Sequence, residues 1–217
     1  FEVLLNNSEK ETLPICGLRY VNSNKVFSPI SNKIDLCVNP DALEQNMITL
    51  YFFGPFCKLF IRDILLQQNI RFDESMKLSE DIHFVLRYIL HIKYIHFLSN
   101  ALYYYNEPII QRKYKSTSNE YYYNSNNLNT AIGQLEETVS YNFQHFRNWI
   151  DINEISHFYS YLVAAPKYKA FEDEITNAKK LGFPFLYNSK KTKLFTTLIK
   201  HSPALSYLFI KFYFRKR

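Results

Sequence analysis

Four glycines in 217 residues set the firmest limit on what this chain can form. A loop that wraps a phosphate, of the P-loop or dinucleotide-binding kind, needs several glycines close together, because only backbone without Cβ lets the phosphate approach its N–H groups. Four glycines leave no room for one. The chain is otherwise rich in core-forming side chains. At 47% hydrophobic and 18% aromatic, it is neither disordered nor collagen-like. Its length suits one or two domains with a buried core.

Charge divides the chain. Residues 1–174 hold 16 basic and all 20 acidic side chains, whereas residues 175–217 hold ten basic and no acidic ones. The net charge of +6 thus combines a slightly acidic body with a cationic end. Cys16, Cys37 and Cys57 are odd in number, widely spaced and without a C-x-x-C pair. They read as reduced thiols of a cytosolic protein, small and apolar in packing, not as a disulfide framework or zinc site. The sequence opens at Phe1 with no signal peptide and runs directly into folded pattern, so we expect a segment whose upstream part is absent.

Periodicity places a mixed α/β part up to about residue 112 and a mostly helical part, 113–217, after it. Short apolar runs such as Leu13-Pro14-Ile15-Cys16 and Lys25-Val26-Phe27 predict strands and loops over the first 35 residues. Asn39 and Pro40 predict a helix start, as N-cap and first helical residue, with the helix running to about Tyr51. Gly54-Pro55 breaks the chain before a short helix through Asp63 to Leu66. Ile82, Val85, Leu86, Ile89 and Ile92 form one apolar stripe, which predicts a helix capped by Ser79. Residues 94–98 and 101–105 read as two strands around a tight turn at Ser99-Asn100. The Ser- and Asn-rich stretch 116–129 reads as a loop. Helices are expected over 128–149, 151–164, 167–180 and 189–201, with Pro166 interrupting. A last helix starts at Ser202-Pro203.

Within the mixed part, Glu80 and Asp81 are the acidic pair of interest. Both fall in the first turn of the predicted helix, where the dipole and free backbone N–H groups favour ionised carboxylates. An ionised carboxylate at the rim of a fold is what a general base requires. Acidic first turns are also ordinary helix-start chemistry.

The run Gly54-Pro55-Phe56-Cys57-Lys58-Leu59-Phe60-Ile61-Arg62-Asp63-Ile64-Leu65, then Asn69-Ile70-Arg71-Phe72-Asp73, Leu78-Ser79-Glu80-Asp81-Ile82-His83-Phe84 and Leu102-Tyr103-Tyr104-Tyr105, resembles the second half of a family 2 glycosyltransferase. That family carries an aromatic-x-Lys-Leu-aromatic run, an Arg-Phe segment, a Glu-Asp dipeptide and an aromatic strand in this order. The resemblance covers residues 40–110. It implies a GT-A fold, here as the acceptor-side part of a Rossmann-like domain (1–112), and an inverting sugar transfer in which Asp81 is the base, supported by Glu80. It also implies a nucleotide-sugar donor, a glycan or lipid-linked acceptor, and a divalent metal, Mg or Mn, on an Asp-x-Asp motif.

The sequence departs from that pattern. It contains no Asp-x-Asp and no nucleotide-binding half, and Glu172-Asp173-Glu174 reads as a solvated helix face. The donor and metal ligands are therefore expected outside this chain, which we expect to be inactive alone. Lys58 and Arg71 are candidates for contact with an anionic substrate group, although a lysine stem lying along apolar surface explains Lys58 equally. Tyr104, with Tyr103 and Tyr105, is a candidate for stacking on a sugar ring or for packing inward. His83 has no second ligand at metal spacing. Arg112, Lys113 and Lys115 read as a solvated loop or a pyrophosphate contact.

The cationic end interleaves lysines and arginines with Phe183, Phe185, Phe195, Leu205, Leu208, Phe209, Phe212 and Phe214. Its longest uncharged apolar run, Pro203 to Ile210, is far shorter than the roughly 20 residues that span a bilayer. Residues 190–217 fit an anionic membrane surface, on the inner face of the cell membrane, or packing onto the protein's own body. No nucleic-acid motif accompanies the charge, so nucleic acid is not an expected partner. Together these readings point to part of a glycosyltransferase of bacterial-type surface polysaccharide synthesis. The other class is a non-catalytic helical module that binds membranes or proteins.

Overall fold

A computed structural model of the chain describes residues 1–49, 52, 54–106, 115–165, 167–182 and 197–213. The chain divides into two compact units. One comprises Phe1–Ser75, Ser79–Gln111 and Asn127–Arg147, the other Met76–Leu78, Arg112–Asn126 and Asn148–Arg217.

The first unit is built on a four-stranded sheet. A short helix α1 (Glu2–Asn6) precedes β1 (Thr12–Tyr20), β2 (Val26–Phe27) and β3 (Asn32–Asp35). Helices α2 (Pro40–Met47), α3 (Arg62–Gln67) and α4 (Glu80–Ile89) follow, and then β4 (Tyr94–Tyr105). The strand order is β2-β1-β4-β3, with β1 and β4 parallel and both flanking strands antiparallel to their neighbours. The first seven residues of β1 are all buried, as expected for a parallel strand covered on both faces.

The expected hairpin at Ser99-Asn100 is instead one strand. Cys16 pairs with Leu98 and Gly17 with Ala101, so Ser99 and Asn100 bulge out while both halves stay on β1. A hairpin would have to pair the two halves with each other, and β1 offers a longer continuous partner. The predicted α4 stripe is realised. Ile82, Val85, Leu86 and Ile89 are buried, and Phe84 and Tyr88 are buried with them, each such side chain contributing roughly 1.5–3 kcal/mol. Asn39 precedes α2 with Pro40 in its first turn, although α2 ends at Met47; Tyr51 lies outside the described residues. The α1 helix falls where strands and loops were expected.

The helical part starts earlier than its composition suggests. Helix α5 (Ser118–Val139) covers the stretch expected as a loop. Its start is fixed by a reciprocal cap: the Thr117 N–H donates to Glu120 Oε2 at 2.8 Å, and the Glu120 N–H donates to Thr117 Oγ1 at 3.3 Å. This is a capping box. Helix α5 stops at Val139, and Ser140 takes a left-handed φ of 53°, so the single helix expected over 128–149 is two. Helix α6 is Gln144–Ala164 and α7 is Tyr168–Lys180. Arg147 holds the junction through Glu136 at 2.6 Å and Asn129 at 2.6 Å. Buried Glu44 of α2 accepts from Tyr141 Oη and the Phe146 N–H, both at 3.0 Å. Pro166 and most of the expected 189–201 helix lie outside the described residues; 197–201 are helical.

In the second unit, Glu174 is not a solvated carboxylate. It accepts from the Ser118 hydroxyl at 2.7 Å and the Ser118 N–H at 2.9 Å, at the start of α5. The core here joins Tyr121, Phe158, Leu162, Phe171, Ile175 and Ile199. Helix α8 (Pro203–Tyr213) starts at Ser202, whose hydroxyl accepts the Leu205 N–H at 3.3 Å. It packs through Tyr207 onto Tyr168 and Phe171, while Leu205 and Leu208 stay exposed. Thr117→Ala is expected to cost about 1 kcal/mol at the α5 start, speeding amide hydrogen exchange at residues 118–121 by roughly fivefold; unchanged exchange there would contradict the cap.

Candidate functional site

The site grows from a turn that the sequence marks with Gly54. A Cβ there would lie 1.9 Å from the Phe56 ring, so any larger residue forces Phe56 out. The chain then passes through Cys57, at a left-handed φ of 63°, and returns to the sheet. Lys58 bridges Ile15 in antiparallel sense, and the Cys16 N–H donates to Cys57 O at 2.8 Å. Residues 57–58 thus occupy the edge of β1 that β2, which pairs only with Leu18 and Arg19, leaves open.

This geometry carries Lys58 inside. The residue is only 9% exposed. Its Nζ donates to Gly54 O at 2.6 Å and Phe56 O at 3.3 Å and lies 5.8 Å from the centre of the Phe52 ring. Burial pulls its pKa down to about 7, against the opposing pull of Cys57, Cys16 and Asp81. The stem-on-surface reading therefore does not describe it, since the ammonium itself is enclosed.

Beyond Lys58 the chain is fastened to α4. Phe60 packs edge-on against Phe84 and Tyr88, with ring centres 5.3 and 4.8 Å apart, and the Ile61 N–H donates to Tyr88 Oη at 2.9 Å. Ser79 precedes α4 in a left-handed conformation and makes no side-chain cap. Asp81 takes over part of that work, its Oδ1 accepting the Ile82 N–H at 2.8 Å. Burial raises the Asp81 pKa above the ordinary carboxylate value, the Glu80 charge adds to the rise, and the Ile82 N–H and the Lys58 charge oppose it. Glu80 and Asp81 are both half-buried.

Lys58 thus lies beside Cys57 and, through the strand bridge, Cys16, while Glu80 and Asp81 stand in the first turn of α4. The two thiols are free and hydrogen-bonded to each other, which draws Cys16 down to about 7 and pushes Cys57 up. Spacing alone gave no hint of that pair, because residues 16 and 57 meet only through the strand bridge. Cys37 is exposed, not packed as expected. Arg71 is exposed and donates from Nε to Asn69 Oδ1 at 3.2 Å, while its neighbour Phe72 stacks on Phe84 at 4.4 Å. Tyr103 and Tyr105 pack against Phe56, at 5.3 and 5.6 Å; Tyr104 is 67% exposed. His83 is half-buried, and burial holds its pKa below the usual imidazole value. Arg112 and Lys113 lie outside the described residues, and Lys115 is exposed.

Among the described residues no three His, Cys, Asp or Glu side chains gather to hold a metal. Among the described residues no helix is long and apolar enough to cross a membrane.

No family model and no curated protein matches the chain. Among solved structures, residues 1–349 of the S. aureus glycosyltransferase TarS, in complex with UDP-GlcNAc, are similar to it at a TM-score of 0.52 and 15% sequence identity. The match covers 99% of this chain and 62% of that one, so the chain spans less than two thirds of the TarS structure. At this identity the likeness is one of fold: the mixed α/β architecture is glycosyltransferase-like.

The buried ammonium has a pH signature. Unfolding returns Lys58 to an ordinary lysine pKa near 10.4, so between about pH 7 and that value the unfolded chain binds more protons than the folded one. The burial penalty is complete below pH 7 and fades as pH rises. Relative to Lys58→Met, the wild type should gain up to about 1.4 kcal/mol per pH unit across that window, measured by urea denaturation. A pH-independent difference contradicts the buried, titrating lysine.

Proposed function

We propose that this chain is part of a glycosyltransferase that moves a sugar from a nucleotide-sugar donor to a glycan or lipid-linked acceptor, with inversion, in surface polysaccharide synthesis. The observation that carries the reading is a half-buried carboxylate, Asp81, in the first turn of α4, within a fold similar to that of a glycosyltransferase seen with UDP-GlcNAc. That likeness is consistent with a nucleotide-sugar donor.

In this reading the chain supplies the acceptor side of a GT-A, family 2-like domain over residues 1–112. The acceptor hydroxyl must lose its proton as its oxygen attacks the anomeric carbon, and Asp81 receives that proton. The raised pKa of Asp81 suits the role: a carboxyl nearer neutrality is a stronger base, provided it is still ionised when the acceptor arrives. Glu80, one residue before it, adds negative charge that makes the acceptor proton easier to accept. Arg71 and Tyr104, both exposed, are assigned to the phosphate or sugar of a substrate. The nucleotide and any Mg or Mn ion are assigned to ligands outside these residues, which makes this polypeptide inactive alone; the protein acts in the cytoplasm.

Leu205 and Leu208, exposed on α8, and the cationic end of the sequence are assigned to an anionic membrane surface at its inner face. Flotation with vesicles containing anionic lipid should carry the protein upward, and neutral vesicles should not; equal recovery in the soluble fraction with both rejects that assignment. For the chemistry, Asp81→Asn in the full-length enzyme should lower kcat by about 10²–10⁴-fold, the loss typical of a general base. Turnover like the wild type in that variant removes Asp81 from the role.

A further inference from the structure

We propose that Cys16 and Cys57 are a modification site: two buried thiols that a hydroperoxide converts to a disulfide, which staples the turn at Gly54 to β1. The pair has no part in the proposed chemistry of Asp81, so either reading can fail without the other.

Backbone geometry brings the two residues together. Lys58 bridges Ile15 in antiparallel sense. One step along that bridge Cys57 stands opposite Cys16, and the Cys16 N–H donates to Cys57 O at 2.8 Å. Residues opposed at such a hydrogen-bonded position have Cα atoms about 5.5 Å apart, inside the roughly 4.4–6.8 Å that a disulfide spans. The side chains lie together as well. Both belong to one buried cluster with Leu18 and Leu98, at 1% and 3% exposure, and the thiols are hydrogen-bonded to each other. Both are free thiols, and among the described residues no third His, Cys, Asp or Glu side chain joins them to hold a metal.

The two sulfurs are unequal in the way that oxidation in two steps requires. The bond from Cys57 draws the Cys16 thiol down to about 7, against the effect of burial. Near neutrality a large share of Cys16 is therefore thiolate, the form that attacks an oxidant. Cys57 is held neutral by the same bond and by burial. In the first step the Cys16 sulfur takes one oxygen of hydrogen peroxide; the O–O bond breaks, the other oxygen leaves as water, and a sulfenic acid remains. The Cys57 sulfur then attacks that sulfur, the S–O bond breaks, and the hydroxyl leaves with the Cys57 proton as a second water. Each thiol has lost one hydrogen, and the peroxide has been reduced by two electrons. Sulfurs so enclosed meet the oxidant during local openings of the turn, so they react more slowly than exposed Cys37.

Peptide mapping of the native protein decides the matter. Cys37 is first capped with iodoacetamide, hydrogen peroxide is added, and the protein is digested without reduction. The expected product is a Cys16–Cys57 link, two hydrogens lighter than the sum of its peptides and reversed by dithiothreitol, with the near-UV circular dichroism of the fold retained. In Cys57→Ser, which lacks the second sulfur, dimedone should instead trap Cys16 as the sulfenic acid. The link should raise the urea midpoint by about 1 M, because it closes a long loop in the unfolded chain. Recovery of both cysteines as free thiols, after about tenfold the exposure that oxidises Cys37 in the uncapped protein, overturns the site. So does a link that forms only in urea. A link that leaves the midpoint unmoved overturns the staple.

Discussion

The enclosure of one ammonium organises the sheet-bearing unit. For Lys58 to reach the carbonyls of Gly54 and Phe56, the turn must be tight, position 54 must lack a Cβ, and Cys57 must adopt a left-handed backbone. A non-glycine residue in that conformation costs about 1 kcal/mol or more. The bridge from Lys58 to Ile15, the Cys16–Cys57 backbone bond and the Phe60 contacts with α4 offset the strain. Phe60 and Ile61, the next residues of the same run, fasten this turn to Phe84 and Tyr88 of α4.

How much of this the sequence discloses depends on whether the controlling contact is local. The α4 stripe, the Asn39-Pro40 start of α2 and the Ser202 cap of α8 depend on neighbours within one or two turns, and each stands where the pattern puts it. The single long β4 does not, because only the presence of β1 alongside distinguishes it from a hairpin. The start of α5 misleads for a different reason. Its Ser and Asn residues disfavour helix on propensity, yet Thr117 and Glu120 form a capping box. Tyr121, Asn124, Leu128, Ala131, Leu135 and Val139 are buried at helical spacing. The signal was present, and composition obscured it.

The candidate site divides along the same line. Glu80 and Asp81 are legible because an apolar stripe fixes the helix that starts with them. The enclosure of Lys58 is not, since a lysine among aromatics reads equally well as a surface residue, and only the bridge to Ile15 turns it inward. The thiol pair and the role of Glu174 at the start of α5 are likewise products of contacts 41 and 56 residues apart in sequence. Tyr103 and Tyr105 illustrate strand alternation: they face Phe56, which leaves Tyr104 on the solvent side.

The central claim is that Asp81 stands where an acceptor hydroxyl meets the anomeric carbon. A structure of the full-length protein with a nucleotide sugar and an acceptor bound tests it most directly. The account predicts an Asp81 oxygen within about 3 Å of the acceptor hydroxyl, the hydroxyl oxygen facing the anomeric carbon, and Lys58 still on the Gly54 and Phe56 carbonyls. An acceptor hydroxyl held by some other base, or a Lys58 swung out onto the donor phosphates, would contradict it.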